Sequence, residues 1–227
     1  MLGSFGYIGR GIDQRDGGSL VAMSGAALGA LFDISSNAAN PVALVPSAPN
    51  WIAIASAYVT HLQTVAGIDP TLLVANPAGG TLTGAGAITG MVAATLGANL
   101  ALAATTGNPP ATAAVTPTWV AIARAFITNV QGAAIIIPGT LAGPSGGGPV
   151  TGLGVITALL PNPLGDAMCT AASAGNASVF TQTQSTWRAM ALNITAHIMT
   201  LGQAGPGSGA TKLVAAGVAV TGSGALL

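Results

Sequence analysis

The sequence predicts a mainly α-helical protein of three tandem repeats, joined by extended segments rich in glycine and proline. Three observations predict this class. Trp51, Trp119 and Trp187 are spaced 68 residues apart. Apolar residues follow each tryptophan at the spacing of one helix face. Runs rich in glycine and proline separate the helical stretches. A fixed period of this length is typical of repeat architectures, which here predicts modules around a pseudo-threefold axis or along a symmetric partner.

The same register holds at positions away from the tryptophans. Three Leu-Gly pairs, three prolines and three Thr-Gly-x-Gly signatures recur, the last signature with a two-residue slip: Leu28-Gly29, Leu96-Gly97 and Leu164-Gly165; Pro70, Pro138 and Pro206; and 83–86, 151–154 and 221–224. We therefore predict an N-terminal arm at 1–17 and repeats at 18–85, 86–153 and 154–227, the third with a C-terminal tail.

The segment around each tryptophan is the clearest predicted helix, because its apolar side chains recur at helical spacing. Its face is the predicted structural core, made of Trp51, Ile54, Tyr58, Trp119, Ile122, Phe126, Trp187, Met190 and Ile194. A second helix is predicted before it in each repeat, carrying Leu20, Met23 and Leu28, then Ile88, Met91 and Leu96, then Ile156, Leu159 and Leu164. Prolines 161 and 163 are expected to break the third of these helices. Short strands are expected in the extended runs, as at Ile135–Ile137.

The composition is unusual for a solvated protein surface. Only 4% of the 227 residues are charged, against roughly 25% in ordinary soluble domains. With 51% hydrophobic residues and 33 glycines, much of the surface is expected to be weakly polar or covered by an assembly. The net charge of zero argues against nucleic-acid binding, which needs clustered Lys and Arg.

No catalytic, cofactor-binding or metal-binding site is predicted. The five carboxylates do not recur at one repeat position, and the single cysteine, Cys169, allows no internal disulfide. His61 and His197 occupy equivalent positions, but Asn129 replaces them in the second repeat, so a repeated zinc or acid/base site would be lost there. The uncharged stretch at 82–104 is long enough for a membrane span. Its threonines and glycines, and the prolines of its counterpart in the third repeat, argue against one.

The arm holds the candidate partner contacts. It lacks the basic start and the unbroken apolar core of a secretory signal. Aromatic and arginine side chains commonly anchor interfaces, and the arm carries Phe5, Tyr7, Ile8, Arg10 and Arg15. We expect it to dock on a neighbouring subunit; the alternative is simple disorder.

The pattern Trp-x-x-Ile-Ala-x-Ala-x-x-x-x-His/Asn, followed by a glycine-rich stretch ending in Thr-Gly-x-Gly, resembles small virion proteins of tailed bacteriophages. The resemblance covers residues 51–86 and their two counterparts. It implies a non-enzymatic structural component of a phage tail or baseplate, assembled in the host cytoplasm, that contacts other virion proteins and further copies of itself. It brings no catalytic residue and no cofactor.

Two other classes remain open at this point. A capsid decoration or cement protein would also be a charge-poor particle component. A membrane-embedded or cell-surface repeat protein would share the Gly/Ala-rich composition, although a surface adhesin should carry a signal peptide or repeated Ca²⁺ ligands.

Overall fold

The computed structural model describes residues 23–39, 48–105, 116–175, 184–206, 212–222 and 224–227. The helices in these ranges are α1 (Gly25–Ala39), α2 (Ala48–Thr64), α3 (Ala93–Thr105), α4 (Thr116–Ala133), α5 (Pro161–Gly175) and α6 (Gln184–Leu201). The strands are β1 (Gly67–Asp69), β2 (Leu73–Val74), β3 (Gly80–Thr81), β4 (Thr83–Gly84), β5 (Ala87–Thr89), β6 (Ile135–Ile137), β7 (Ala142–Gly143), β8 (Gly148–Pro149), β9 (Gly154–Thr157), β10 (Gln203–Gly205), β11 (Val214–Ala216), β12 (Ala219–Thr221) and β13 (Ala225–Leu226).

The architecture is mixed α/β, so the predicted mainly α class was wrong. The runs that follow α2, α4 and α6 contain glycine and proline, which weaken a strand signal in the sequence. In the structure these runs pair with one another in small antiparallel sheets. Each strand has only two to four residues, too few for a clear alternating pattern.

The helices begin at regular intervals along the chain. The first residues of α1, α3 and α5 lie 68 positions apart, as do those of α2, α4 and α6. The helices predicted before the tryptophan helices were placed too early in the sequence, because Ile88 and Ile156 lie in strands β5 and β9. The expected break in the third was also wrong: α5 starts at Pro161, and Pro163 lies in its first turn. In the first turn of a helix, backbone N–H groups have no partner within the helix, so proline is tolerated there.

The six helices form a closed ring. Each packs against the next along the chain, and α6 packs against α1. Inside the helix ring, the aromatic side chains of Tyr58 and Phe126 pack edge to face, with their centroids 4.7 Å apart. Close helix crossing depends on three glycines, because a Cβ there would overlap the backbone of the following helix. The glycines and the residues whose backbone they contact are Gly29 with Ile52, Gly97 with Val120, and Gly165 with Arg188.

Beneath the helices, six strands form a second closed ring in the order β5-β1-β13-β10-β9-β6. Two backbone hydrogen bonds between Gly86 and Ile136, of 2.9 and 2.8 Å, join β5 to β6 and complete it. Side chains that alternate along the strands are buried, namely Ile68, Ile88, Ile136, Ile156, Ala204 and Leu226. A five-stranded sheet, β4-β2-β12-β11-β8, and the pair β3-β7 complete the β structure of the described residues.

The Thr-Gly-x-Gly signatures lie where β strands turn toward this ring. The first glycine of each has a positive φ, of 84° at Gly84, 87° at Gly152 and 95° at Gly222, which other residues rarely adopt. At the second glycine of the last two signatures, Gly154 and Gly224, a neighbouring strand passes too close for a side chain, and at Gly86 the contact would be tight. For example, a Cβ at Gly154 would lie 2.9 Å from the carbonyl oxygen of Ile137.

The helix-crossing glycines are testable with a matched pair of variants. Replacing Gly97 by Ala should lower the free energy of unfolding by about 1 to 3 kcal/mol, because α3 and α4 must move apart. Gly132, in α4, faces open space, so Gly132→Ala should raise stability by at most about 1 kcal/mol. Chemical denaturation of both variants measures the difference. Equal effects would contradict the role assigned to the crossing.

Candidate functional site

The most specific polar contacts lie where one helix pair meets the next. We call these places junctions: the first joins α2 to α3, the second α4 to α5, and the third α6 to α1. At the first junction, the backbone N–H of Val92 donates to Nε2 of His61 at 3.1 Å. At the third, the backbone N–H of Ser24 donates to Nε2 of His197 at 2.9 Å. Val92 and Ser24 stand just before α3 and α1, so each imidazole holds the start of the next helix pair.

This geometry requires neutral imidazoles. Because Nε2 accepts, the ring proton must be on Nδ1. Both side chains are buried, and burial lowers the pKa of each below its usual value of 6.5. The Nδ1 atom of His61 is itself buried without a hydrogen-bond partner. The histidines therefore act as fixed acceptors in the assembly of the ring.

The second junction differs because Asn129 stands where the other two carry histidine. Its Oδ1 is buried and has no hydrogen-bond partner. An asparagine amide reaches one atom less far from the backbone than Nε2 of an imidazole does, which explains the missing contact. A groove of about 400 Å³ opens beside it, lined by Ala121, Arg124, Ala125, Thr128, Asn129 and Ala167.

Two asparagines add contacts that the sequence did not predict. Nδ2 of Asn50, in α2, donates to the carbonyl oxygens of Ala103 and Ala104 at 2.8 and 3.0 Å, which satisfies acceptors near the end of α3. Nδ2 of Asn193, in α6, donates to the Leu31 carbonyl oxygen at 3.1 Å and to Oγ of Ser35 at 2.7 Å, both in α1. At the 68-residue spacing, Asn193 aligns with Ala57 and Ala125, which cannot make this side-chain hydrogen bond. The contact therefore belongs to the third junction alone.

All nine side chains of the predicted core face are buried. The indole N–H groups of Trp51, Trp119 and Trp187 are buried without a hydrogen-bond partner. The indoles therefore contribute apolar volume to the core and make no polar contact there.

The candidate partner contacts Phe5, Tyr7, Ile8, Arg10 and Arg15 lie outside the described residues. Among the residues that the structure does describe, no group of three or more His, Cys, Asp or Glu side chains could hold a metal ion. None of the helices in the described ranges is both long and apolar enough to cross a membrane. Comparisons with protein-family models, curated proteins and solved structures found no match.

The missing contact at the second junction should be restorable. Asn129→His should provide an acceptor for the backbone N–H at position 160 and raise the free energy of unfolding by about 0.5 to 1.5 kcal/mol. The reverse change, His61→Asn, should lower it by a similar amount or more, because it leaves the Val92 N–H without its acceptor. Thermal and chemical denaturation measure both variants. A destabilised Asn129→His protein beside an unaffected His61→Asn protein would refute this account of the junctions.

Proposed function

We propose that the chain consists of three tandem modules around a pseudo-threefold axis and that it is a non-enzymatic structural component of a bacteriophage particle. The modules correspond to 18–85, 86–153 and 154–227. The observation that carries the proposal is the closed ring, in which α6 returns to α1 and successive helix pairs meet in similar ways. Such a chain presents three similar outward surfaces, which suits a partner that offers repeated sites.

The contacts between strands support the three-module arrangement. Gly86 pairs with Ile136 and Gly154 pairs with Ala204, so both partners shift by 68 positions from one contact to the next. At the remaining place in the ring the N–H of Ile68 donates to the carbonyl oxygen of Gly224, at 3.4 Å. Ile68 lies 68 positions before Ile136, whereas Gly224 is displaced by the two-residue slip.

The position of the slip supports the same alignment. The N–H of Leu73 donates to the Pro70 carbonyl oxygen, and that of Leu141 to Pro138, each across three positions. In the third run Leu213 donates to Pro206, across seven positions. A loop enlarged by four residues thus keeps the same hydrogen bond. The segment from that leucine to the following Thr-Gly pair is two residues shorter in the third run than in the other two. The net displacement of the third signature is therefore two residues.

The surface supports a role in an assembly. Large apolar side chains are exposed on both layers, including Leu72 and Leu102 at 72% and Ile34 at 66%. Few charges accompany them, since 4% of the chain is charged. Exposed apolar side chains in such number favour burial against other proteins. A tail or baseplate position follows only from the sequence resemblance, and a capsid-decoration role is the alternative outcome of the test below.

The N-terminal arm is the proposed anchor to the partner. Ser24, close to the start of the described residues, is fixed at the third junction by His197 of α6. Its aromatic and arginine side chains, Phe5, Tyr7, Ile8, Arg10 and Arg15, are the proposed contacts.

The proposal is tested by purifying particles from the native source and locating the chain by mass spectrometry and electron cryo-microscopy. We expect the protein in the particle, at a site where its three modules contact a symmetric structure. A version lacking residues 1–17 should fold with an unchanged circular dichroism spectrum but be incorporated several-fold less well. Absence of the full-length chain from purified particles would contradict the function. Equal incorporation of both versions would contradict the arm contact alone.

A further inference from the structure

The third junction is held differently from the other two. The chain connects α2 to α3 through β1 to β5 and α4 to α5 through β6 to β9. By contrast, α1 and α6 are the first and last helices in chain order, and Ser24 and His197 are 173 positions apart. Only non-covalent contacts therefore hold α6 to α1 in the described structure. The polar ones are Ser24 to His197 and Asn193 to Leu31 and Ser35. Of these groups only the imidazole titrates between about pH 5 and 8.

We propose that the third junction is an acid-sensitive latch, in which protonation of His197 separates α1 from α6 and opens the helix ring. In the closed state Nε2 accepts from the Ser24 N–H at 2.9 Å. When Nε2 gains a proton it becomes a donor facing another donor, so the hydrogen bond is lost and the two groups repel. This inference does not depend on the proposed role in a particle.

Among the residues that the structure describes, no carboxylate is placed to stabilise the protonated ring. Asp33 on α1 is nine positions from Ser24, and Arg188 on α6 is nine from His197, each roughly 13 Å along its helix. On α5 the ionisable groups are Asp166 and Cys169, and Asp166 is bound by Arg188 at 2.6 Å. Strand β9, which also packs on α6, carries no ionisable side chain. Helix α2, packed on α1, brings His61 and Tyr58, and burial raises the pKa of the Tyr58 phenol, so it stays neutral.

The direction of the pH effect follows from burial. Burial lowers the pKa of His197, so the closed ring binds fewer protons than the open form near neutral pH. The latch contributes its full stabilisation of the closed ring above pH 6.5, where the imidazole of His197 is also neutral when it is exposed in the open form. Its contribution is lost progressively as the pH falls below that value toward the lowered pKa of the closed state.

Opening should be confined to the third junction. His61 makes the same kind of bond to Val92, but the chain itself joins α2 to α3 through β1 to β5, so loss of that bond loosens the contact without releasing the helices. Asn129 at the second junction does not titrate. Acid therefore acts on two of the three junctions and can separate only one.

The test measures distances across two junctions with spin labels. Leu31→Cys and Leu192→Cys place labels on exposed positions of α1 and α6. Arg124→Cys and Ala167→Cys place the matched control pair at the corresponding exposed positions of α4 and α5, shifted by multiples of 68 residues. All versions carry Cys169→Ser, which removes the single native thiol. Between about pH 7.5 and about pH 5, the first pair should separate by at least roughly one helix diameter, about 10 Å, while the control pair stays unchanged.

A second variant distinguishes opening by protonation of His197 from general unfolding of the protein in acid. In His197→Gln the side-chain amide oxygen can accept from the Ser24 N–H as Nε2 does, but it does not titrate. The label distance in this variant should stay short at both pH values. The proposal would be overturned by an unchanged distance in the parent, by equal changes in both label pairs, or by opening of the His197→Gln protein at about pH 5. Circular dichroism on each labelled protein checks that the helices remain folded.

Discussion

The return of α6 to α1, together with β13 lying between β1 and β10, is the contact on which the rest of the structure depends. Without it, the inner faces of α1 and α6 and the edges of β1 and β10 would be exposed to water. A single helix pair with its strands is small, and chains of that size bury a modest share of their surface. Closure gives every helix two packed neighbours and joins the buried apolar side chains of the described residues into one core. The proposed modules thus stabilise one another.

Close approach of backbones is the second constraint, and glycine meets it in both layers. In the helix ring, Gly29, Gly97 and Gly165 let the two helices of each pair touch along their backbones. In the strand ring, the second glycine of each Thr-Gly-x-Gly signature leaves room for the neighbouring strand. The same residue type serves two geometries, which explains how a glycine-rich sequence supports a well-packed interior.

The sequence predicted the parts of this fold that depend on local periodicity. The helices around Trp51, Trp119 and Trp187, and the burial of their apolar faces, follow from helical spacing alone. The strand rings could not be predicted in the same way, because strands of two to four residues are stabilised by partners far away in the sequence. The histidines were visible as equivalent positions, yet their acceptor role depends on Val92 and Ser24, which only the closed ring brings near.

An experimental structure of the chain at neutral pH tests the central claim most directly. The account predicts that rotation by a third of a turn superposes each helix pair on the next, that α6 packs against α1, and that Nε2 of His197 lies within hydrogen-bonding distance of the Ser24 nitrogen. It would be contradicted by a structure in which α1 is separated from α6 and the strand ring is open between β13 and β1. A structure whose three helix pairs do not superpose would equally contradict it.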